Sequence, residues 1–274
     1  MSKRLKRNSL LGELVFGAVV LLGFLLLLSP IALVIAISFF SDEILRFPPS
    51  SLSLDWYRSL SSQPQFLSGF VLSAQVALAA TFFGILFSLP ASFAIVRYRF
   101  KGRESILQFL TSPLAVPTIV LGLASYIFFI EIEILTQVPI VGSVIALTAA
   151  HVLITIPWCV RLLTSSLVGL DIAPEEAALS LGAPGWRVFF EITIPSIWPA
   201  IVAAVLFSFV VSFGNLEISL FLVRPGQTTL PVLIMEYLEW RVNPTIAVVS
   251  VLQILLIGFA LIVTDRFVPL SRVV

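Results

Sequence analysis

The sequence is poor in charge. Asp, Glu, Lys and Arg make up 11% of its 274 residues, where an ordinary soluble domain carries roughly 25%. A surface so short of charge cannot all face water, and lipid is the simple alternative. Cysteine is almost missing: Cys159 stands alone in an apolar stretch. That excludes an intrachain disulfide framework and a thiolate metal cluster, and leaves Cys159 to act as a small apolar residue. The formal net charge of +1 gives no strong pull toward nucleic acid. No G-x-x-x-x-G-K-S/T phosphate loop occurs, so the chain is not expected to hydrolyse ATP by itself.

Hydrophobic residues fill the space, at 59%. Six stretches contain no Asp, Glu, Lys or Arg: Leu14–Phe40, Phe66–Val96, Ser105–Ile130, Ile134–Val160, Ile192–Leu216 and Val242–Thr264. Counted inclusively they run from 23 to 31 residues, and about 20 suffice to cross a bilayer. Barrel strands would alternate over about 10 residues; these runs are continuous, so six transmembrane helices are expected. The first is too long for the apolar core of a signal peptide and no small-residue cleavage site follows, so it reads as a retained anchor. With the N-terminus in the cytoplasm, 12 of the 16 Lys and Arg residues fall on the inner side. The positive-inside rule therefore places both termini inside. Three segments are then outside: about 41–65, 131–139 and 217–241. Leu52, Trp56 and Tyr57 with Asp55 and Arg58, and also Leu230–Trp240, read as short interfacial helices. Pro30, Pro90, Pro113, Pro117, Pro157 and Pro199 lie within spans, where each can kink a helix.

The segment joining the fourth and fifth spans, about 161–191, carries the most specific signal. Pro174 suits a first helical turn. Glu175 and Glu176 follow where the helix dipole favours anions. Gly182 can close the helix in the left-handed conformation, and Pro184 prevents continuation. A short, exposed helix of about two turns is expected, followed by a second piece, Gly185–Ile194, ending at Pro195. Ala177 and Ala178 permit close approach by another surface and Glu176 offers a carboxylate to a basic partner. An ordinary interfacial turn would look the same.

The stretch Glu176-Ala177-Ala178, three residues, Gly182, nine residues, Ile192, one residue, Ile194-Pro195 resembles the EAA loop of binding-protein-dependent importer permeases. It departs from the family pattern only in Ile194, where that pattern has Leu. The resemblance extends to the basic stretch Arg97-Tyr98-Arg99-Phe100-Lys101-Gly102, to Pro113 and Pro117, to Ser212-Phe213, and to Thr228-Thr229-Leu230-Pro231. It is strongest to the spermidine/putrescine-type permeases, in their C-subunit branch. It implies an all-α integral membrane protein of the type I ABC importer (MetI-like) permease fold, forming one domain over residues 1–274 and placed in a bacterial inner membrane. The implied partners are a second homologous permease subunit, two copies of an ATP-binding subunit and a periplasmic or extracellular solute-binding protein. Glu175, Glu176, Ala177, Ala178, Leu181 and Gly182 would then form the ATPase-coupling helix. No cofactor is implied in this chain, ATP and Mg being held by the partner ATPase.

Ser212, Phe213, Asn215 and Glu217 are the candidate substrate-path residues: members of the polyamine branch often carry acidic residues just after this Ser-Phe, where this chain has Gly214 and Asn215, with Glu217 following two residues later. The outer segments hold 4 basic and 8 acidic residues, which mildly favours a cation. Another small solute, such as an amino-acid derivative, an opine or a phosphonate, is the alternative. A stand-alone secondary transporter would need coupling-ion ligands near the midplane, and the spans hold little beyond Gln75, His151, Asn215 and hydroxyls. His151 is expected to pack or hydrogen-bond across helices. No span contains an Asp and no motif orders a nucleophile, so neither catalytic nor metal-binding residues are expected.

Overall fold

In a bilayer, every backbone polar group must find its partner inside the protein, and a helix achieves this within one segment. The computed structural model describes residues 2–44 and 46–267. Arg272 and the side chains of Lys3, Arg4, Lys6 and Arg7, five of the 12 inner basic residues counted above, lie outside the described residues. The helices are α1 (Ser2–Ile37), α2 (Asp55–Ser59), α3 (Pro64–Arg97), α4 (Arg103–Thr111), α5 (Thr118–Thr136), α6 (Val144–Gly169), α7 (Ala173–Ser180), α8 (Gly185–Val188), α9 (Ile194–Ser196), α10 (Trp198–Phe213), α11 (Glu217–Leu222), α12 (Leu230–Trp240) and α13 (Thr245–Phe267). A π-helical turn, Phe189–Thr193, joins α8 to α9. Short helices form at both places expected, as α2 and α12, but Leu52 stays outside α2 and pairs with Phe40 in an antiparallel bridge.

Among the described residues, five helices are long and apolar enough to cross a membrane, and six if one bent pair counts as a single span. Three of the expected spans need correction. The third is not one helix over Ser105–Ile130. Pro113 enters a 3-10 turn, Val116 is forced into an extended conformation by Pro117, and the spanning helix starts only at Thr118 and runs on to Thr136. The fourth shifts along the chain to Val144–Gly169, where the Ser143 side chain accepts the Ala146 N–H at 3.1 Å and sets the start. Nothing breaks it at Arg161, because one charged residue near the end of an otherwise continuous helix is no stop signal. The fifth is broken: the run Gly185–Ser196 meets Trp198–Phe213 at an angle of 71°. The second helical piece also continues past Pro195 to Ser196.

The chain divides into two compact units, residues 1–62 with 237–255, and residues 63–236 with 256–274. In the first, the Ser38 hydroxyl meets the Tyr57 hydroxyl at 2.8 Å, and Asn243 Nδ2 donates to Tyr237 Oη at 3.0 Å. Asp42 accepts the Ser50 hydroxyl and, at 2.7 Å, the Ser50 N–H. The hydroxyl bond foremost holds the Asp42 carboxyl below its ordinary value. The stability this adds is present above the usual carboxylate range and is lost as pH falls through the lowered value.

In the second unit α3, α6 and α10 pack on one another. Lipid supplies no hydrophobic drive between helices, so close packing and interhelical hydrogen bonds must hold them. The buried face of α3 accordingly repeats small residues at four-residue steps, Ala80, Gly84, Ser88 and Ser92. α10 does the same with Ala200, Ala204, Ser208 and Ser212. Two apolar clusters result. Leu72, Val76, Leu147, Ile154, Ile218 and Leu222 form one; Cys159, Leu163, Leu167, Ile197 and Ile201 form the other. Polar contacts lie along the same packed helices. Thr155 Oγ1 donates to the Ala80 carbonyl at 3.2 Å, and Cys159 Sγ sits 3.0 Å from Ser208 Oγ.

The packing of α5 on α11 depends on the missing side chain of Gly122. A Cβ there would lie 2.8 Å from the Glu217 carbonyl oxygen and 3.0 Å from Ile218 Cα. Backbone atoms cannot yield as a side-chain tip can, so Gly122→Ala should cost roughly 1–3 kcal/mol and lower the thermal unfolding midpoint in detergent. Gly258→Ala, whose added Cβ meets nothing within 4 Å beyond its own helix turn, should leave it unchanged or raise it slightly, alanine being the better helix former. Equal midpoints for the two variants would contradict this packing.

Candidate coupling and substrate-path sites

The helix expected between the fourth and fifth spans is α7. Pro174 sits in its first turn with Glu175 and Glu176, and the Ala173 N–H is taken by Asp171 Oδ1 at 3.0 Å. Its other end is closed by Gly182 at φ +87°. There the Ala183 N–H donates to Ala178 O and the Gly182 N–H to Leu179 O, both at 3.0 Å. This pair of reversed bonds satisfies carbonyls that the helix end would leave open.

The two adjacent carboxylates of α7 have opposite environments. Successive residues of a helix point about 100° apart, so one can face the protein while the other faces out. Glu176, Ala177 and Leu181 are exposed, Leu181 by 90%, whereas Ala178 is half-buried. Glu175 is buried. Its Oε2 accepts Arg97 Nε at 2.9 Å and its Oε1 accepts Arg97 Nη2 at 3.0 Å. The Thr193 hydroxyl donates to the same Oε1 at 3.0 Å, and Arg97 Nη1 donates to the Leu167 carbonyl at 3.1 Å. The pair is little exposed, with side chains at 13% and 9%. Removing one partner of a buried pair typically costs about 3–5 kcal/mol, since a charge is left unmatched.

The substrate-path residues cluster at the C-terminal end of α10, a helix about 24 Å long by the rise of its 16 residues. Ser212 is buried with its hydroxyl 2.8 Å from His151 Nδ1. His151 Nε2 lies 3.2 Å from Ser219 Oγ, so the imidazole bridges α10 and α11, as expected of a hydrogen-bonding histidine. Phe213 is fully buried between Phe209, stacked at 5.5 Å, and Phe70, edge-on at 5.5 Å. Asn215 is buried in the break before α11, where Oδ1 accepts the Ile218 N–H at 2.9 Å. Its Nδ2 reaches the exposed Glu217 carboxylate at 3.3 Å. Of the four, Glu217 alone is exposed, and the other three are buried in the segment that leads to it. Glu133, counted among the outer acids, is used internally by accepting the backbone N–H groups of Ile140 and Val141.

The residues that sequence reasoning overlooked are Arg97 in its role as the Glu175 partner, Thr193 and the Leu167 carbonyl. A signal was available. Two neighbouring acids on one short helix point about 100° apart, so one of them can turn inward and meet a base, and Arg97 stands ready at the end of the long helix α3. The second unit also contains an open, apolar cavity of about 570 Å³ between Leu78, Phe82, Leu89, Phe189 and Val205, and a more polar one of about 430 Å³ bordered by Gln65, Arg224, Thr228 and Glu236.

Comparison with known proteins places this geometry. A family model described as binding-protein-dependent transport system inner membrane component matches residues 80–271. The putrescine transport system permease protein PotI of Escherichia coli (strain K12) is 31% identical over 241 residues, covering 88% of this chain and 85% of that protein. A probable sulfate transport system permease protein, cysT of Chlorokybus atmophyticus, is 31% identical over 227 residues, 80% of this chain and 75% of that one. A chain in the crystal structure of the bacterial alginate ABC transporter in complex with an alginate pentasaccharide-bound periplasmic protein shares the fold. Its TM-score is 0.75 over 96% of this chain and 95% of that one, at 13% identity.

The left-handed cap gives a direct test of the α7 geometry. A β-branched residue at φ +87° is strained by roughly 1–3 kcal/mol, so Gly182→Val should open the last turn. Hydrogen–deuterium exchange of the Leu181, Gly182 and Ala183 amides should accelerate about tenfold or more, while Gly182→Asn, which tolerates this conformation, should change little. Unaltered exchange in the valine variant would show that the cap does not hold the helix.

Proposed function

This chain belongs to the binding-protein-dependent transport system inner membrane components, the membrane permeases of ATP-driven importers, and from that premise we propose how it works. It forms half of a translocation pathway together with a second, homologous permease subunit. Two copies of an ATP-binding subunit dock on its inner side and bind the ATP and Mg, and a solute-binding protein delivers substrate to its outer side. The positive-inside pattern puts both termini and α7 in the cytoplasm.

The observation that carries the coupling role is α7 itself: a closed, polar-started helix whose exposed face offers Glu176, Ala177 and Leu181. Ala177 and the half-buried Ala178 leave room for a socket wall, Leu181 supplies an apolar tip and Glu176 an anion for a basic rim. Closure of the ATPases on ATP would move the two permease subunits' coupling helices together and swing the pathway open to the outside, a rigid-body form of alternating access.

The substrate class favoured is a polyamine or a similar small organic cation. The likeness to PotI supports it, and so does the exposed Glu217 carboxylate poised by Asn215 at 3.3 Å. A cation leaving water needs such a partner. An oxyanion is the second reading, favoured by the equal identity to cysT.

Uptake of labelled putrescine and spermidine into cells carrying the complete transporter, with and without this chain, separates the two. Chain-dependent uptake that excess polyamine blocks and excess sulfate does not is the expected result; the reverse pattern moves the substrate to the oxyanions. Glu176→Lys should cut uptake tenfold or more at unchanged membrane abundance, and normal uptake in that variant would remove α7 from the coupling role.

A further inference from the structure

We propose that Glu175, Arg97 and Thr193 form the mechanical joint of the transporter, through which displacement of α7 reaches the bent fifth span. The proposal rests on α7 being the coupling helix, and it concerns the side of α7 that faces away from any partner.

α7 is only eight residues long. It is bounded by the short links Leu170–Ile172 and Leu181–Pro184, and Glu175 is its one buried residue. Without an internal grip, a push on its outer face would be absorbed by those links. Glu175 supplies the grip with both oxygens. The Arg97 guanidinium forks onto them at 2.9 and 3.0 Å, and its remaining Nη1 holds the Leu167 carbonyl at 3.1 Å. One arginine thus ties the end of α3, the last turns of α6 and the first turn of α7. A planar fork resists rotation about the contact as well as separation, which a lysine point charge would not.

The third partner locates the output. Thr193 closes the π-helical turn Phe189–Thr193 and is fully buried. Its hydroxyl bonds Glu175 at 3.0 Å, four residues before Ile197, where the chain bends by 71°. A π turn is a wide, weakly bonded piece of helix and is frequent at functional sites. Glu175 therefore grips the fifth span beside its bend, where small movements of the grip turn α10 and the His151–Ser212 contact at its other end.

The test uses the assembled transporter in lipid nanodiscs with its ATP-binding subunits and binding protein. Glu175→Gln and Arg97→Lys are each expected to lower uptake tenfold or more per assembled complex. Each should also erase the stimulation of ATP hydrolysis by loaded binding protein, so that the stimulated and unstimulated rates become equal. A merely structural role would reduce hydrolysis and uptake together with complex yield. The double variant should be no worse than the poorer single one, because the pair acts as a unit. Retained stimulation in both single variants, or losses that multiply in the double, would overturn the proposal. Spin labels at Leu181 and Val168, exposed by 90% and 73%, read the joint directly. Their distance distribution should be narrow in the unmodified protein and broad in Glu175→Gln, and an unchanged width would also overturn it. If the width responds while the unmodified complex shows no ATP-driven uptake, the joint stands and the coupling role of α7 fails.

Discussion

A charged side chain removed from water has to be answered within the protein, and Arg97 and Glu175 answer each other. Much of the architecture at that end of the second unit follows from this pairing. Arg97 closes the long helix α3, so its position is fixed by 34 residues of packed helix. Glu175 must come to it, which decides which face of α7 turns inward and leaves Glu176, Ala177 and Leu181 facing out. The Thr193 hydroxyl then fills the remaining acceptor site on Glu175 Oε1. A pair of this kind contributes little net stability over an apolar substitute and is costly only when half of it is removed. Its value here is positional.

The same demand for internal satisfaction explains how the helices of the second unit approach. Lipid does not push apolar faces together, so contact is made where side chains are small and hydroxyls can bond across. The four-residue steps of Ala, Gly and Ser on α3 and α10 meet α6 on those terms, and Thr155, His151 and Cys159 place polar contacts within the packed layer. Where the chain must be irregular, the causes are local. Pro113 and Pro117 end one helix and start another, and the π turn precedes the bend at Ile197.

Much of this was legible in the sequence because hydrophobicity and helix-end chemistry are local. The charge-free runs marked the spans, and Pro174 to Gly182 specified a short capped helix that the structure contains. Span edges were less legible. A charge-free run is only an upper bound on what lipid accepts, and helices such as α5 and α6 extend past it once Glu133 or Arg161 can reach a polar partner or solvent. The break at Pro113–Pro117 was underread as a kink, since a proline's effect depends on whether neighbours replace the lost hydrogen bond. The partnership of Arg97 with Glu175 spans 78 positions and is a product of the folded packing. Ser212, Phe213 and Asn215 were recognisable as special by their setting, but only the fold shows that they are buried while Glu217 is exposed.

The central claim is that this internal pair orients α7 so that its outer face meets the ATP-binding subunit. A benzophenone photo-crosslinker placed at Leu181, 90% exposed, tests it in the intact membrane. The account predicts an adduct between this chain and the ATP-binding subunit, with a yield that depends on nucleotide. An assembled complex in which Leu181 crosslinks only to lipid or to another membrane chain would contradict it.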